Sequence, residues 1–153
     1  LNSEWPWEGR IKHPCVDPVN ALLSYVYAFL EREIRLAILD TGMDCRFGVL
    51  HSNNGRQDSL VYDLLDLVRQ PLGDRFVLRL INWRKVTQED FETSEAGEVR
   101  LCDSVRHHWV EWYEEFMATP MAAFDRQSPR DWLYGQVKDF YAQTHVDEEN
   151  HTA

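Results

Sequence analysis

Ser59-Leu60-Val61-Tyr62-Asp63-Leu64-Leu65-Asp66-Leu67-Val68-Arg69-Gln70-Pro71 is the stretch on which the fold turns. Leu60, Leu64, Leu67 and Val68 recur at spacings of three and four, the period of an α-helix with one apolar face. Tyr62, Asp63, Asp66, Arg69 and Gln70 make up the polar face. Asp58 or Ser59 opens the helix as a cap. Pro71 lacks an amide proton for the preceding turn and predicts its end.

Helical patterns continue on both sides. Upstream, Asp17 reads as an N-cap, Pro18 as the first helical residue and Gly42 as the position just past the end. Leu22, Leu23, Val26, Leu30 and Ala37 keep the helical period between them, and Glu31 and Arg35 form an i,i+4 pair on the outer face. Downstream, Phe76-Val77-Leu78-Arg79-Leu80-Ile81 could pass for a strand. Asp74 as a cap, with Arg75, Arg79 and Asn82 at helical spacing, favours a helix instead. A short helix is predicted after Thr87, and a turn or small hairpin around Gly97 between Thr93 and Cys102. A further helix over 103–118 would align Val105, Trp109, Trp112 and Phe116. The last begins at Ser128, with Pro129 and Asp131 completing a box-like cap ahead of Leu133, Val137, Phe140 and Tyr141. The fold class expected is therefore all-α: an irregular lead-in at 1–14, a helical lobe over 15–145 and a disordered acidic tail at 146–153.

The chain has 153 residues, 44% of them apolar, enough for one domain with a real core and too many for a wholly disordered segment. No run approaches the ~18 apolar residues of a membrane span, and the acidic start with its two tryptophans is not a signal peptide. The three cysteines, Cys15, Cys45 and Cys102, are too widely spaced for a zinc site or a disulfide framework. Net charge is −10, which argues weakly against nucleic acid. Its distribution softens that argument. Residues 1–87 carry 11 basic and 11 acidic side chains, whereas 88–153 carry 5 and 15. A DNA-facing surface belongs to the first part; the second would repel DNA or meet a basic partner.

Chemistry concentrates at Gly48-Val49-Leu50-His51, Arg56 and the helix that follows. Asp63 and Asp66, three apart, share a helix face, and such close carboxylates repel unless a cation or base lies between them. His51, in the loop leading into that helix, could fold back toward them. One imidazole with carboxylates suits Mn²⁺ or Mg²⁺, which would polarise a phosphate and activate water or a hydroxyl. On residue pattern alone, a surface cluster without function remains open.

The same residues resemble the signature of the CRISPR-associated integrase family. That signature is a Gly-x-x-His, a loop with an Arg, then Ser-Leu-x-x-Asp-Leu-x-(Asp or Glu), here Gly48 to His51, Arg56 and Ser59 to Asp66. A second shared stretch precedes it: Gly9-Arg10, Pro14 and Asp17-Pro18-Val19-Asn20-Ala21-Leu22-Leu23-Ser24-Tyr25. A third follows: Asp74-Arg75, Leu80-Ile81-Asn82 and Asp90-Phe91. The resemblance is closest over residues 9–91 and looser to 142.

It implies the helical C-terminal domain of a metal-dependent DNA endonuclease and integrase that inserts new spacers by strand transfer. In the family a glutamate, a histidine and a second acidic residue hold Mg²⁺ or Mn²⁺. His51 and Asp66 match the latter two, and Asp63 matches the neighbouring aspartate, making His51, Asp63 and Asp66 the catalytic set. The glutamate lies upstream of the Gly-Arg stretch in the family, as does a β-rich domain; neither Glu4 nor Glu8 matches its motif, and the chain, which starts at Leu1, is expected to be a piece of a longer protein. Arg56, Arg69, Arg75, Arg79, Arg84 and Lys85 are the candidate DNA-binding cations, phosphate contacts that position DNA without reading it. The implied partners are double-stranded and branched DNA, the small second subunit of the adaptation complex and a second copy in the full-length family, in the prokaryotic cytoplasm and away from membrane. The alternative is a catalytically incomplete fragment, a helical module that docks DNA or a partner.

Other motifs are discounted. His107 and Glu111 stand at i,i+4, but His108, Trp109 and Trp112 interrupt a ligand pattern. The Trp109, Trp112, Phe116 stripe reads as core rather than a base-stacking face. Trp5 and Trp7 are expected to have packed on the missing upstream domain.

Overall fold

The computed structural model describes residues 4–42 and 59–151, with backbone alone for 144–151. It is mostly helical, with one two-stranded hairpin. In chain order the elements are α1 (Pro18–Asp40), α2 (Ser59–Val68), a π-helical turn (Arg69–Asp74), α3 (Arg75–Asn82), a 3₁₀ turn (Gln88–Asp90), β1 (Phe91–Thr93), β2 (Val99–Leu101), α4 (Asp103–Arg106), α5 (Trp109–Ala118), a second 3₁₀ turn (Ala122–Phe124) and α6 (Pro129–His151). The last takes in part of the segment expected to be a tail. Contacts divide the chain into two compact units: Leu1–Ala28 with Gln70–Phe116, and Phe29–Arg69 with Met117–Ala153.

In the first unit, α1 starts where its capping residues predict. Asp17 accepts the amide proton of Asn20 at 2.8 Å, and its other oxygen takes the Asn20 side-chain amide at 2.6 Å. Asn20 is fully buried and fully employed. Its oxygen accepts from Arg10 Nη1 (3.0 Å) and the Ile11 amide (2.9 Å), while its Nδ2 also donates to the Gly9 carbonyl (2.9 Å). One side chain thus fastens the irregular lead-in to the first turn of α1. The lead-in is pinned again where the Val99 amide of β2 donates to the Cys15 carbonyl at 2.8 Å. Trp5 is buried edge-on against Phe91 at 6.1 Å, so it packs within this unit and does not await an upstream domain as expected; Trp7 is exposed.

The core of this unit gathers around Phe76 of α3. Trp109 and Tyr113 meet it edge-on at 5.2 and 5.8 Å, and Phe116 lies tilted at 5.2 Å. These rings come from α5, which is separate from α4: the helix predicted over 103–118 breaks at His107-His108. The break re-phases the apolar stripe. Trp109, Tyr113, Phe116 and Met117 are buried, whereas Trp112 and Val105 are only half-buried. The hairpin pairs Phe91 with Leu101 and Thr93 with Val99, and it turns at Gly97, whose φ of 81° suits glycine.

α2 does not close at Pro71. The chain runs through the π-helical turn directly into α3, and the wider turn accommodates a residue with no N–H to give. The Pro71 carbonyl instead accepts from Arg75 Nε at 3.2 Å. Because the backbone is already helical there, Asp74 is no N-cap. Its φ and ψ of −65° and −38° are those of a helix interior, and its carboxylate accepts from the Tyr27 hydroxyl at 2.6 Å.

In the second unit, α2 buries Leu60, Val61, Leu64, Leu65 and Val68, but leaves Leu67 65% exposed. Seven residues fall short of two full turns by about 20°, and the buried arc extends from Leu60 the other way, through Val61 and Leu65. α6 is capped as expected: Ser128 Oγ accepts the Asp131 amide at 3.1 Å and donates to its carboxylate at 2.8 Å. Leu133 and Val137 are buried, with Phe140 and Tyr141 half-buried. Glu33 of α1 is buried and meets Arg130 of α6 through Nη2 at 2.7 Å and Nε at 3.2 Å. The expected Glu31–Arg35 pair is formed at 2.7 Å.

Candidate metal and nucleic-acid site

α2 positions the two carboxylates. Its buried arc fixes the rotation of the helix, so Asp63 and Asp66 both project from the exposed side. Arg69, three residues on, donates through Nη2 to Asp66 Oδ1. Two carboxylates on one exposed helix face are hard oxygen donors of the chemical kind that Mg²⁺ and Mn²⁺ accept. His51 and Arg56 lie outside the described residues, so the arrangement of the histidine with the carboxylates is not part of this geometry. Among the described residues, no three His, Cys, Asp or Glu side chains gather as a metal site would need. His107 in particular lies tilted against the ring of His108, whose Nδ1 is 3.6 Å from Glu111. Among the described residues, Cys15 and Cys102 form no disulfide.

The remaining candidate cations belong to the first unit. Arg75 and Arg79 stand on α3, and Arg84 and Lys85 on the segment that ends it. Arg79 is half-buried, with its guanidinium 3.9 Å from the ring centroid of Trp83. Trp83 itself is 58% exposed, a residue the sequence reading passed over. The signal was there: residues 75–85, Arg-Phe-Val-Leu-Arg-Leu-Ile-Asn-Trp-Arg-Lys, hold four cations, no acidic residue and this tryptophan.

The end of α3 is a Schellman motif. The Lys85 amide reaches back to the Leu80 carbonyl at 2.9 Å and the Arg84 amide to the Ile81 carbonyl at 3.0 Å. Arg84 occupies the left-handed position, with φ of 53°, where glycine is usual. A side chain there costs on the order of 1 kcal/mol, and Arg84 is exposed, with no apolar burial to offset it.

Paired exposed carboxylates on α2 are thus followed by an acid-free basic run on α3 and the segment that ends it. The comparisons with known proteins are specific. The family model for CRISPR associated protein Cas1 matches residues 1–115. The chain belongs to the Cas1 family. It is 38% identical over 109 residues to a protein named CRISPR-associated endonuclease Cas1 1 from Chlorobaculum tepidum, covering 71% of this chain and 32% of that protein. It is also 38% identical over 106 residues to a protein of Leptospira interrogans named as a CRISPR-associated exonuclease Cas4/endonuclease Cas1 fusion, covering 69% and 19%. The solved CAS1 protein from Thermotoga maritima superposes with a TM-score of 0.74 at 26% identity, over 87% of this chain and 41% of that one. A casposase bound to integration product shares the fold at a TM-score of 0.76 and 24% identity, over 92% and 40%. The chain spans about a third of the length of the curated relatives it matches.

Proposed function

We propose that this chain is the helical catalytic lobe of a metal-dependent DNA endonuclease and integrase, acting in the prokaryotic cytoplasm to insert new spacer DNA into a CRISPR array. Membership of the Cas1 family carries the reading, together with relatives named as endonucleases. The exposed pair Asp63 and Asp66 supports it as the described part of the site.

His51 and Asp66 would hold Mg²⁺ or Mn²⁺, which when bound supplies charge stabilisation at the phosphoryl oxygens. Asp63 orients the site from the same helix face. Arg56, Arg69, Arg75, Arg79, Arg84 and Lys85 bind phosphates and fix the DNA. In strand transfer, the incoming 3′-hydroxyl bonds to a phosphorus at the repeat border, its proton leaves, and the bridging oxygen departs as a new 3′-hydroxyl. The partners are double-stranded and branched DNA, a second copy of the whole protein and the small second subunit of the adaptation complex.

Nicking of branched DNA in Mn²⁺ tests the reading, with His51→Ala as control. Activity lost in the variant supports it. Equal activity in the two removes His51 from the chemistry.

A further inference from the structure

We propose that Trp83 is a stacking platform for an unpaired base of a single-stranded DNA end, with Arg84 and Lys85 holding the neighbouring phosphates. The proposal rests on the DNA reading above and adds a positioning residue to it. Four observations carry it. Trp83 caps α3, so the hydrogen-bonded end of that helix fixes its position. Arg79 lies against the indole at 3.9 Å, yet the side chain remains 58% exposed. A large aromatic held by a cation on one face and open elsewhere is a surface on which a base can stack, and the stacking is sequence-tolerant because every base has a π-face. Trp83 shares its shallow depression with Lys85 and Trp112, and Glu115 is also in its lining.

The second observation is electrostatic. A chain of net charge −10 places four cations and no anion in residues 75–85. Phosphates follow such a run, whereas a basic partner would meet the acidic later part of the chain. The third is the backbone of Arg84, held at φ 53° with an exposed side chain. An arginine kept where glycine is easier points to a task for the side chain outside the fold. The fourth is that Asn82 and Arg84 line a cleft of about 630 Å³ that also presents Thr87 and Gln88, with the carboxylates Glu4 and Glu89 in the same lining. A strand stacked on Trp83 therefore has polar groups beside it.

The experiment measures binding of the chain to two labelled strands of roughly twelve nucleotides, by fluorescence polarisation at fixed salt. One is oligo-dT; the other has the same backbone with abasic sugars. The wild type prefers the strand with bases by about ten-fold. Trp83→Ala brings the two to parity without changing affinity for the abasic strand, and Trp83→Phe keeps most of the preference. Unaltered far-ultraviolet circular dichroism shows that the exposed position has not disturbed folding. A wild-type preference retained in Trp83→Ala overturns the proposal. So does equal binding of both strands by the wild type, which leaves phosphate contacts without stacking. Absence of binding to both strands, or binding that neither Arg84→Gln nor Lys85→Gln weakens, overturns the DNA reading of this segment, which separates the two failures.

Discussion

Arg69 closes on Asp66 across one turn of α2, Nη2 to Oδ1, so the carboxylate assigned to metal already has a cationic partner. An exposed i,i+3 pair is worth about 0.3–0.5 kcal/mol. Arg69→Gln should therefore raise Mn²⁺ affinity by roughly two-fold, measured by calorimetry. The same variant should weaken DNA binding, because Arg69 is also a phosphate-contacting candidate. A fall in both affinities would show that Arg69 supports the metal site rather than competing with it.

Glu33 and Arg130 tie α1 to α6 in the second unit, with Glu33 buried and three donor–acceptor contacts between the pair. Removing one partner strands a buried charge. Arg130→Leu should cost about 3 kcal/mol, read from urea unfolding, and the double variant Glu33→Leu, Arg130→Leu should recover much of that loss. Additive losses in the double variant would mean that the two side chains act separately.

Tyr134 offers a pH test in the same unit. Burial, and then the negative charges of Glu33 and Asp40, raise its phenol above the ordinary value of 10.0. The folded state thus holds this proton more tightly than the unfolded chain. The associated stability is fully present below pH 10, and is lost as pH rises through the folded value. Wild-type thermal stability should fall more steeply above pH 10 than that of Tyr134→Phe. Parallel profiles would remove Tyr134 from the account.

Arg84 predicts opposite effects on stability and binding. Arg84→Gly relieves the left-handed strain and should stabilise the chain by about 1 kcal/mol. DNA affinity should fall, because a phosphate contact goes with it. A variant that is both more stable and equally tight on DNA would leave the strained arginine without a function.

The sequence made the helices legible where a cap or breaker stood alone. Asp17-Pro18 and Ser128-Pro129 open α1 and α6 as their chemistry predicts. It misled where two signals conflicted. Pro71 signalled an end, but a π-helical turn absorbs it and leaves Asp74 inside a helix. The stripe over 103–118 ignored the His107-His108 break, which exchanges Trp112 for Tyr113 in the core. Leu67 looked apolar-facing because a seven-residue spacing approximates two turns. At the candidate site, the pairing of Asp63 with Asp66 followed from spacing. The Arg69 contact and the exposure of Trp83 did not, since both depend on side-chain placement that periodicity does not encode.

Mn²⁺ affinity of the wild type against His51→Ala, Asp63→Ala and Asp66→Ala, by calorimetry at fixed pH, tests the central claim most directly. The account predicts a ten-fold or greater loss for His51→Ala and Asp66→Ala, with a smaller change for Asp63→Ala. Affinity unchanged in both His51→Ala and Asp66→Ala would contradict the assignment of a metal-dependent site to this chain.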